Sequence, residues 1–328
     1  MIVDYILKEH GKTVMILINN QQKKERTDAM KKLCLIFLLI VSSITVMAQM
    51  TETIFHDKFD NSVMRSDLWH IPTWVSSTDG TYVGRTQFRC SQNAALPEII
   101  NGEAVIKLET YNPTGYSFYG TDLITNRTFS MGDGLIFTIE ARFKSPVPGG
   151  IVGGIFLYDL VGTGPSHDEI DFELVSNRPY EIQTNIYDNE PLGAGHPSFS
   201  SFTDPVTDNH TYVIRWFPGK VTWLVDGIVI RTTETLVPER PMHFHLNIWA
   251  PDAGWAEAFD NNLQPVANPV LNMAYSMLVS SVRVDSVVSE IISTELINED
   301  PGLRFYPNPA HDFIRFDNSG KIDLSIYN

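Results

Sequence analysis

Cysteine is scarce in this chain, with two residues among 328. Cys34 falls in a segment that we expect to be removed, which leaves Cys90 alone and excludes an intrachain disulfide. No neighbouring residue in the sequence offers Cys90 a base, so we interpret it as a small core residue and not as a nucleophile.

Basic residues are also few. Lysine and arginine number 24 against 39 aspartates and glutamates, and the formal net charge is -15. A surface that acidic repels nucleic acids and strongly anionic polysaccharides, because both carry dense negative charge. The composition therefore predicts no nucleic-acid partner and leaves neutral glycans as compatible ligands.

A long hydrophobic run is missing too. The apolar stretch 33–41 is shorter than the roughly 20 residues that a membrane-spanning helix needs. It follows two lysines and precedes small residues that end at Ala48, which is the pattern of a secretory signal peptide. We predict a signal peptide over residues 30–49 and interpret 1–29 as a spurious extension before the true start at Met30.

Amphipathic helical periodicity is absent from Thr51 to about Val288. This region consists of short apolar segments separated by turn residues, such as Pro218-Gly219 and Asp226-Gly227. One β-sandwich of roughly 200–250 residues is within the range of single domains. The sequence therefore predicts an all-β domain over residues 50–288.

Within residues 167–174, acidic and apolar side chains alternate strictly from Glu169 to Leu174. Such alternation predicts a strand with one buried face, so the carboxylates Glu169, Asp171 and Glu173 share the opposite face. Like charges in one row repel, and perturbed carboxylates cluster at functional sites. The alternative is an ordinary amphipathic strand whose acidic face is solvated.

Two carboxyl groups of this row suit glycoside hydrolysis, which needs one nucleophile and one proton donor. A retaining enzyme places the two groups roughly 5–5.5 Å apart, whereas residues four apart on a flat strand have backbones roughly 13 Å apart. Long glutamate side chains on a bent strand can close that gap. Glu169 and Glu173 can therefore supply both groups, and Asp171 can hydrogen-bond to either.

The run 164–173 resembles the active-site strand of glycoside hydrolase family 16, in the bulge-free form shared by bacterial lichenases and plant xyloglucan endotransglycosylases. The segments 216–219 and 223–227 are similar to a hairpin of that family. The resemblance implies a concanavalin A-like β-jelly-roll sandwich with a concave substrate cleft. It also implies Glu169 as the nucleophile, Asp171 as the assisting residue and Glu173 as the acid/base.

Two further segments, 181–187 and 243–249, alternate between polar or aromatic residues and aliphatic ones. The second of them, with Trp255, is also similar to the lichenases. For the segment 151–159, two interpretations stay open, since its aromatic residues either face outward or pack between the sheets. The predicted substrate-binding residues are Tyr158, Asn185, Tyr187, His245, Asn247, Trp249 and Trp255.

Metal binding is not predicted. His243 and His245 are two residues apart, a spacing that can hold zinc on a strand, but no third ligand is evident. Many family members bind calcium through an aspartate in the last strand, and Ser280 stands at that position here. We predict no cofactor.

The C-terminal end is predicted to be separate from the domain, with a polar linker over residues 289–301. The run 303–310 resembles the start of the C-terminal sorting domain of the type IX secretion system, which makes residues 302–328 a partial copy of that domain. The resemblance implies a secreted or cell-surface protein that contacts the secretion machinery. Without it, the segment is interpreted as a β appendage or a carbohydrate-binding module.

These observations lead to one main hypothesis and two alternatives. The main hypothesis is a secreted, monomeric, retaining endo-β-glucanase that hydrolyses a neutral mixed-linkage β-1,3-1,4-glucan or β-1,3-glucan. A transglycosylase that acts on xyloglucan or β-glucan uses the same residues with a sugar acceptor in place of water. A non-catalytic lectin on the same fold has no need of three crowded acids.

Overall fold

The computed structural model describes residues 50–72, 83–88, 96–112, 117–162 and 164–288. The chain divides into two units, Met1–Ser289 and Glu290–Asn328, and every described residue belongs to the first. Both cysteines, the predicted signal peptide, the linker and the sorting-domain segment therefore lie outside the described residues.

Across the described residues, the chain forms sixteen β-strands and one 3-10 turn at Pro269–Leu271. No helix in this part of the chain is long and apolar enough to cross a membrane. The strands are β1 Met50–Asp57, β2 Trp69–His70, β3 Thr86–Phe88, β4 Glu98–Ile100, β5 Glu103–Glu109, β6 Phe118–Phe129, β7 Leu135–Phe143, β8 Val152–Leu160, β9 Ser166–Val175, β10 Glu181–Pro191, β11 Ser198–Ser201, β12 His210–Phe217, β13 Lys220–Val225, β14 Ile228–Thr233, β15 Met242–Trp249 and β16 Ala274–Val288.

The strands form two layers that pack face to face as a β-jelly-roll sandwich, as predicted. One layer has the order β11-β10-β9-β8-β15-β6 and the other has the order β5-β16-β7-β12-β13-β14. The layers are joined between β5 and β6 through the single register pair Glu109 and Tyr119. Neighbouring strands within each layer run antiparallel, whereas β3 pairs with β6 in parallel.

The core lies between the two layers and is built from the alternating apolar residues of both. Phe137 of β7 stacks on Phe244 of β15 with ring centroids 5.7 Å apart. Phe172 of β9 meets Tyr212 of β12 edge to face at 5.4 Å. Such pairs bury large apolar areas and fix the two layers against each other.

The predicted hairpins are confirmed, and their turn residues explain them. Asp226 and Gly227 both have positive φ, at 50° and 79°, as the two central residues of a type I′ hairpin turn require. Gly219 has φ 70° after Pro218, which suits the third position of a type II turn. These turns place β12, β13 and β14 side by side.

The segment 151–159 corresponds to β8, and the structure shows on which side of this strand its aromatic residues lie. Ile155 and Leu157 are fully buried in the core. Phe156 and Tyr158 lie on the other side of the strand, where each contacts a histidine ring. The aromatic residues of β8 therefore face away from the core, on the same side as the acidic row of β9. We call this outer side of the first layer the carboxylate face.

Candidate active site

Each carboxylate of β9 lies between one residue of β8 and one of β10. The inner side of the strand, made of Ile170, Phe172 and Leu174, is fully buried, so the alternation holds the acids on the opposite side. The three rows across the carboxylate face are Tyr158–Glu169–Tyr187, Phe156–Asp171–Asn185 and Gly154–Glu173–Gln183.

Glu169 is partly accessible, with 16% of its side chain exposed. Its Oε2 lies 3.0 Å from Nε2 of His167. The hydroxyl of Tyr158 stays protonated beside it, because burial first and the charges of Glu169 and Asp159 second raise the pKa of Tyr158 to about 12. Glu169 thus lies beside an imidazole nitrogen and a phenol hydroxyl.

The surroundings of Asp171 and Glu173 raise the pKa of both carboxyl groups. Burial, followed by the charges of Glu169 and Glu173, raises the pKa of Asp171 well above its usual value. Burial, followed by the charge of Glu169, does the same for the pKa of Glu173, which a hydrogen bond with the Trp249 side chain partly offsets. The surroundings therefore favour the neutral form at Asp171 and Glu173, because the pKa of each is raised.

Several oxygens beside the row lack a hydrogen-bond donor. Oδ1 of Asp171, Oε2 of Glu173 and Oε1 of Gln183 are buried, and none has a partner among the described residues. Buried polar atoms without partners are uncommon in native proteins and call for an explanation. A bound sugar, whose hydroxyl groups donate hydrogen bonds, provides one.

Two residues of the second layer contact the strands that hold Asp171 and its neighbours. Trp223 of β13 is fully buried, and its indole N–H donates to the backbone oxygen of Asp171 at 3.0 Å. The guanidinium of Arg231 lies over the Trp223 ring at 4.8 Å and donates to the backbone oxygen of Thr184 at 2.9 Å. The positive charge of Arg231 is among the influences that lower the pKa of Asp171, and it acts against the effect of burial.

Strand β15 extends the carboxylate face beside β8. The His245 ring stacks on Phe156 at 4.7 Å, and its Nδ1 lies 3.1 Å from a carboxylate oxygen of Asp122. Asn247 accepts a hydrogen bond from the backbone N–H of Gly154 at 3.0 Å. A Cβ at Gly154 would lie 2.5 Å from that Asn247 oxygen, so only glycine fits between Glu173 and Asn247.

Trp249 and Trp255 lie together beyond Glu173. Their ring centroids are 5.7 Å apart, and both rings pack against the buried residues Val152 and Val175. Both side chains remain partly exposed. An exposed indole face next to an acid is a surface on which a sugar ring can stack.

Asn185 and Tyr187, both predicted to bind substrate, lie next to the β10–β11 connection. A Cβ at Gly195, in the β10–β11 connection, would lie 2.4 Å from Cζ of Tyr187 and 2.8 Å from Nδ2 of Asn185. The connection therefore lies directly over both side chains, and Tyr187 is only 7% exposed. These residues form a wall at one side of the acidic row, in which the loop covers Tyr187 while Asn185 stays partly exposed.

The neighbouring Asp168 has a structural role. Its side chain is 2% exposed, and it accepts hydrogen bonds from the backbone N–H of Asn189 at 2.7 Å and from Nε of Arg240 at 2.9 Å. These contacts tie the β14–β15 connection to the start of β9. Asp168 is thus paired with a cation and kept apart from the acidic row.

The two histidines considered as zinc ligands are engaged elsewhere. Nδ1 of His243 lies 2.8 Å from the backbone oxygen of Thr125, and His245 pairs with Asp122. Among the described residues, no group of three or more His, Cys, Asp or Glu side chains is arranged to hold a metal ion.

Three residues that contact the acidic row or its strand neighbours, His167, Gln183 and Arg231, are not among the predicted site residues. His167 and Gln183 stand on the same alternating faces as Glu169 and Asn185, so the period of two would have placed them in the site. Arg231 comes from the other layer, and no local pattern predicts its contact with Thr184.

The chain is similar to glycan-active enzymes. A family model for glycosyl hydrolases family 16 matches residues 84–264, which include β6, β8, β9, β10 and β15. A beta-glucanase of Paenibacillus polymyxa is 30% identical over 181 residues, covering 54% of this chain and 71% of that protein. Xyloglucan endotransglucosylase/hydrolase 2 of Glycine max is 29% identical over 196 residues, covering 57% of this chain and 64% of that protein.

A solved structure shares the fold. The Bacillus licheniformis beta-glucanase superposes with a TM-score of 0.56 at 23% sequence identity, and the match covers 70% of this chain and 96% of the other. Because the match covers 96% of the other chain, nearly the whole of that protein corresponds to the sandwich described above.

Proposed function

Because the chain belongs to family 16 of the glycosyl hydrolases, we propose that it is a retaining endo-β-glucanase acting on a neutral mixed-linkage β-1,3-1,4-glucan or β-1,3-glucan. The observation that carries the proposal is the acidic row itself, in which Glu169 is partly exposed and contacts His167, while burial raises the pKa of Glu173 and of Asp171. Double displacement at a sugar needs this combination of a nucleophile and an acid.

In the first step, Glu169 attacks the anomeric carbon and forms a covalent bond to it. The bond to the leaving oxygen breaks, and that oxygen takes the proton of Glu173. In the second step, Glu173 takes a proton from water, the water oxygen attacks the anomeric carbon, and Glu169 is released as a carboxylate. Asp171 contributes a hydrogen bond and adjusts the charge beside Glu169.

The electrostatics of the row suit both steps. Burial, followed by the charge of Glu169, raises the pKa of Glu173, which favours the acid form when the substrate arrives. Once Glu169 is esterified, that charge is gone and the pKa of Glu173 falls. The same carboxyl group is then a better base, as the second step requires.

The surroundings favour a neutral polysaccharide. Indole faces at Trp249 and Trp255 offer stacking surfaces, and Tyr158 and His245 add polar aromatic edges. The net charge of -15 disfavours anionic chains.

The test is reducing-sugar release from barley β-glucan, lichenan, laminarin and xyloglucan by the wild type and by Glu169→Gln. We expect release from one glucan and a loss of roughly 10³-fold or more in the variant. Glu52→Gln, which removes an equal charge at an exposed position, serves as the control. Full activity in Glu169→Gln would remove the nucleophile assignment, and a product first formed as the α-anomer would exclude double displacement.

A transglycosylase is the second candidate, favoured by the similarity to the soybean endotransglucosylase/hydrolase. It would use the same three acids, with a sugar hydroxyl in place of water in the second step. Chains lengthened after addition of acceptor oligosaccharides, with little reducing-sugar release, would favour this activity over hydrolysis.

A further inference from the structure

His167 occupies an unusual place on the carboxylate face. It stands two residues before Glu169 on β9, and it is 2% exposed. Its imidazole ring lies between two tyrosine rings, with centroids 5.1 Å from Tyr158 and 4.3 Å from Tyr187. Because β8 and β10 supply one tyrosine each, the ring is held from both sides.

The contact between His167 and Glu169 has a defined donor. Nε2 of His167 and Oε2 of Glu169 are 3.0 Å apart. A carboxylate can only accept hydrogen bonds, so the shared proton belongs to Nε2 of the imidazole. A hydrogen bond to an ionised acceptor is stronger than one between neutral groups, and its geometry is more restrictive.

We propose that His167 is a positioning residue that orients the nucleophile, an inference that rests on the proposed function. By holding Oε2, the imidazole leaves Oε1 of Glu169 to attack the anomeric carbon. The two tyrosine rings prevent the imidazole from turning, so the orientation is set before the substrate binds. Such preorganisation lowers the barrier of the chemical step, because the nucleophile does not have to find its attacking geometry.

Two variants separate the hydrogen bond from the packing. His167→Phe keeps a ring between Tyr158 and Tyr187 but has no donor, whereas His167→Gln loses the ring but keeps an N–H at a similar reach. We expect His167→Phe to lower kcat by about 10- to 100-fold, the effect of losing one hydrogen bond to a charged group, with KM changed less than about twofold. His167→Gln should recover most of kcat.

Wild-type kcat in His167→Phe would overturn the proposal. An equal loss in both variants would assign the effect to packing and would overturn it as well. Thermal unfolding of each variant shows whether the fold is retained, and rescue by glutamine alone distinguishes positioning from a structural role.

A measurement without substrate keeps the inference separate from the proposed function. Long-range ¹H–¹⁵N spectra of the histidine rings report which nitrogen carries the proton, and the signal missing in His167→Phe identifies His167. We expect the proton on Nε2 and a shifted signal in Glu169→Ala. A neutral ring protonated only at Nδ1 would overturn the hydrogen bond. A wild type that is inactive on every glucan would overturn the proposed function, while the tautomer would still decide whether this contact exists.

Discussion

Replacing Glu173 by glutamine is predicted to stabilise the fold while it removes activity. Burial and the charge of Glu169 raise the pKa of Glu173 in the folded chain. In the unfolded chain, the same group ionises near its ordinary pKa of about 4.3. Between these two pKa values the folded state binds more protons, so the free energy of unfolding falls as the pH rises. Because a glutamine does not ionise, the variant does not lose stability in this way as the pH rises.

The gain in stability in Glu173→Gln depends on the burial of Glu173 and on the residues around it. Removing one functional group of this kind commonly raises the free energy of unfolding by about 0.5–2 kcal/mol, which corresponds to a Tm increase of roughly 1–8 °C in a domain of this size. The new amide also has an acceptor within its row, because Oε1 of Gln183 is buried without a partner. Part of the pH dependence should remain, since the pKa of Asp171 is raised as well.

The assay is thermal unfolding of the wild type and Glu173→Gln between about pH 4 and pH 8, where the unfolded carboxyl group ionises. Glu52→Gln is the matched control, because it makes the same substitution at an exposed position and reports the general effect of reducing a net charge of -15. The reasoning is refuted if Glu173→Gln melts at or below the wild type at pH 7, if its pH slope is unchanged, or if the control gains as much.

Two further predictions concern the supports of the acidic row. In Gly195→Ala, the new Cβ would lie 2.4 Å from Tyr187 and 2.8 Å from Asn185. This overpacking should lower the free energy of unfolding by about 1–3 kcal/mol. The displaced wall should also raise KM while kcat changes little, and an unchanged KM in steady-state kinetics would contradict the prediction. Trp223→Phe removes the donor to the backbone oxygen of Asp171 and should lower the free energy of unfolding by about 1–3 kcal/mol. Denaturant titration measures this loss. A loss below about 0.5 kcal/mol would contradict the prediction.

Local patterns predicted the fold class and the strand that carries the acids. A period of two requires only neighbouring residues, so the alternation at 167–174 already separates Glu169, Asp171 and Glu173 from the core. Turn chemistry likewise predicted the hairpin at Asp226, because an Asp-Gly pair readily adopts positive φ at both positions.

The depth of the acids could not be predicted from the same pattern. Alternation assigns a side of the sheet, but whether that side is solvated depends on strands that are distant in sequence. His245 comes to Phe156 through the pairing of β15 with β8, and Gly195 covers Tyr187 through a loop after β10. Sequence spacing therefore could not distinguish a solvated acidic face from one on which Asp171 is 2% exposed.

The three acids have different neighbours, which explains how carboxyl groups on one alternating strand can take separate roles in a reaction. Asp171 has the charge of Arg231 and a backbone hydrogen bond at Asn185 to offset its burial. For Glu173, the offset comes from the side chain of Trp249. The negative charge of Glu169 is met by a directed N–H from His167. Because identical carboxyl groups in identical surroundings would share their protons evenly, the division of roles depends on these neighbours as much as on the acids.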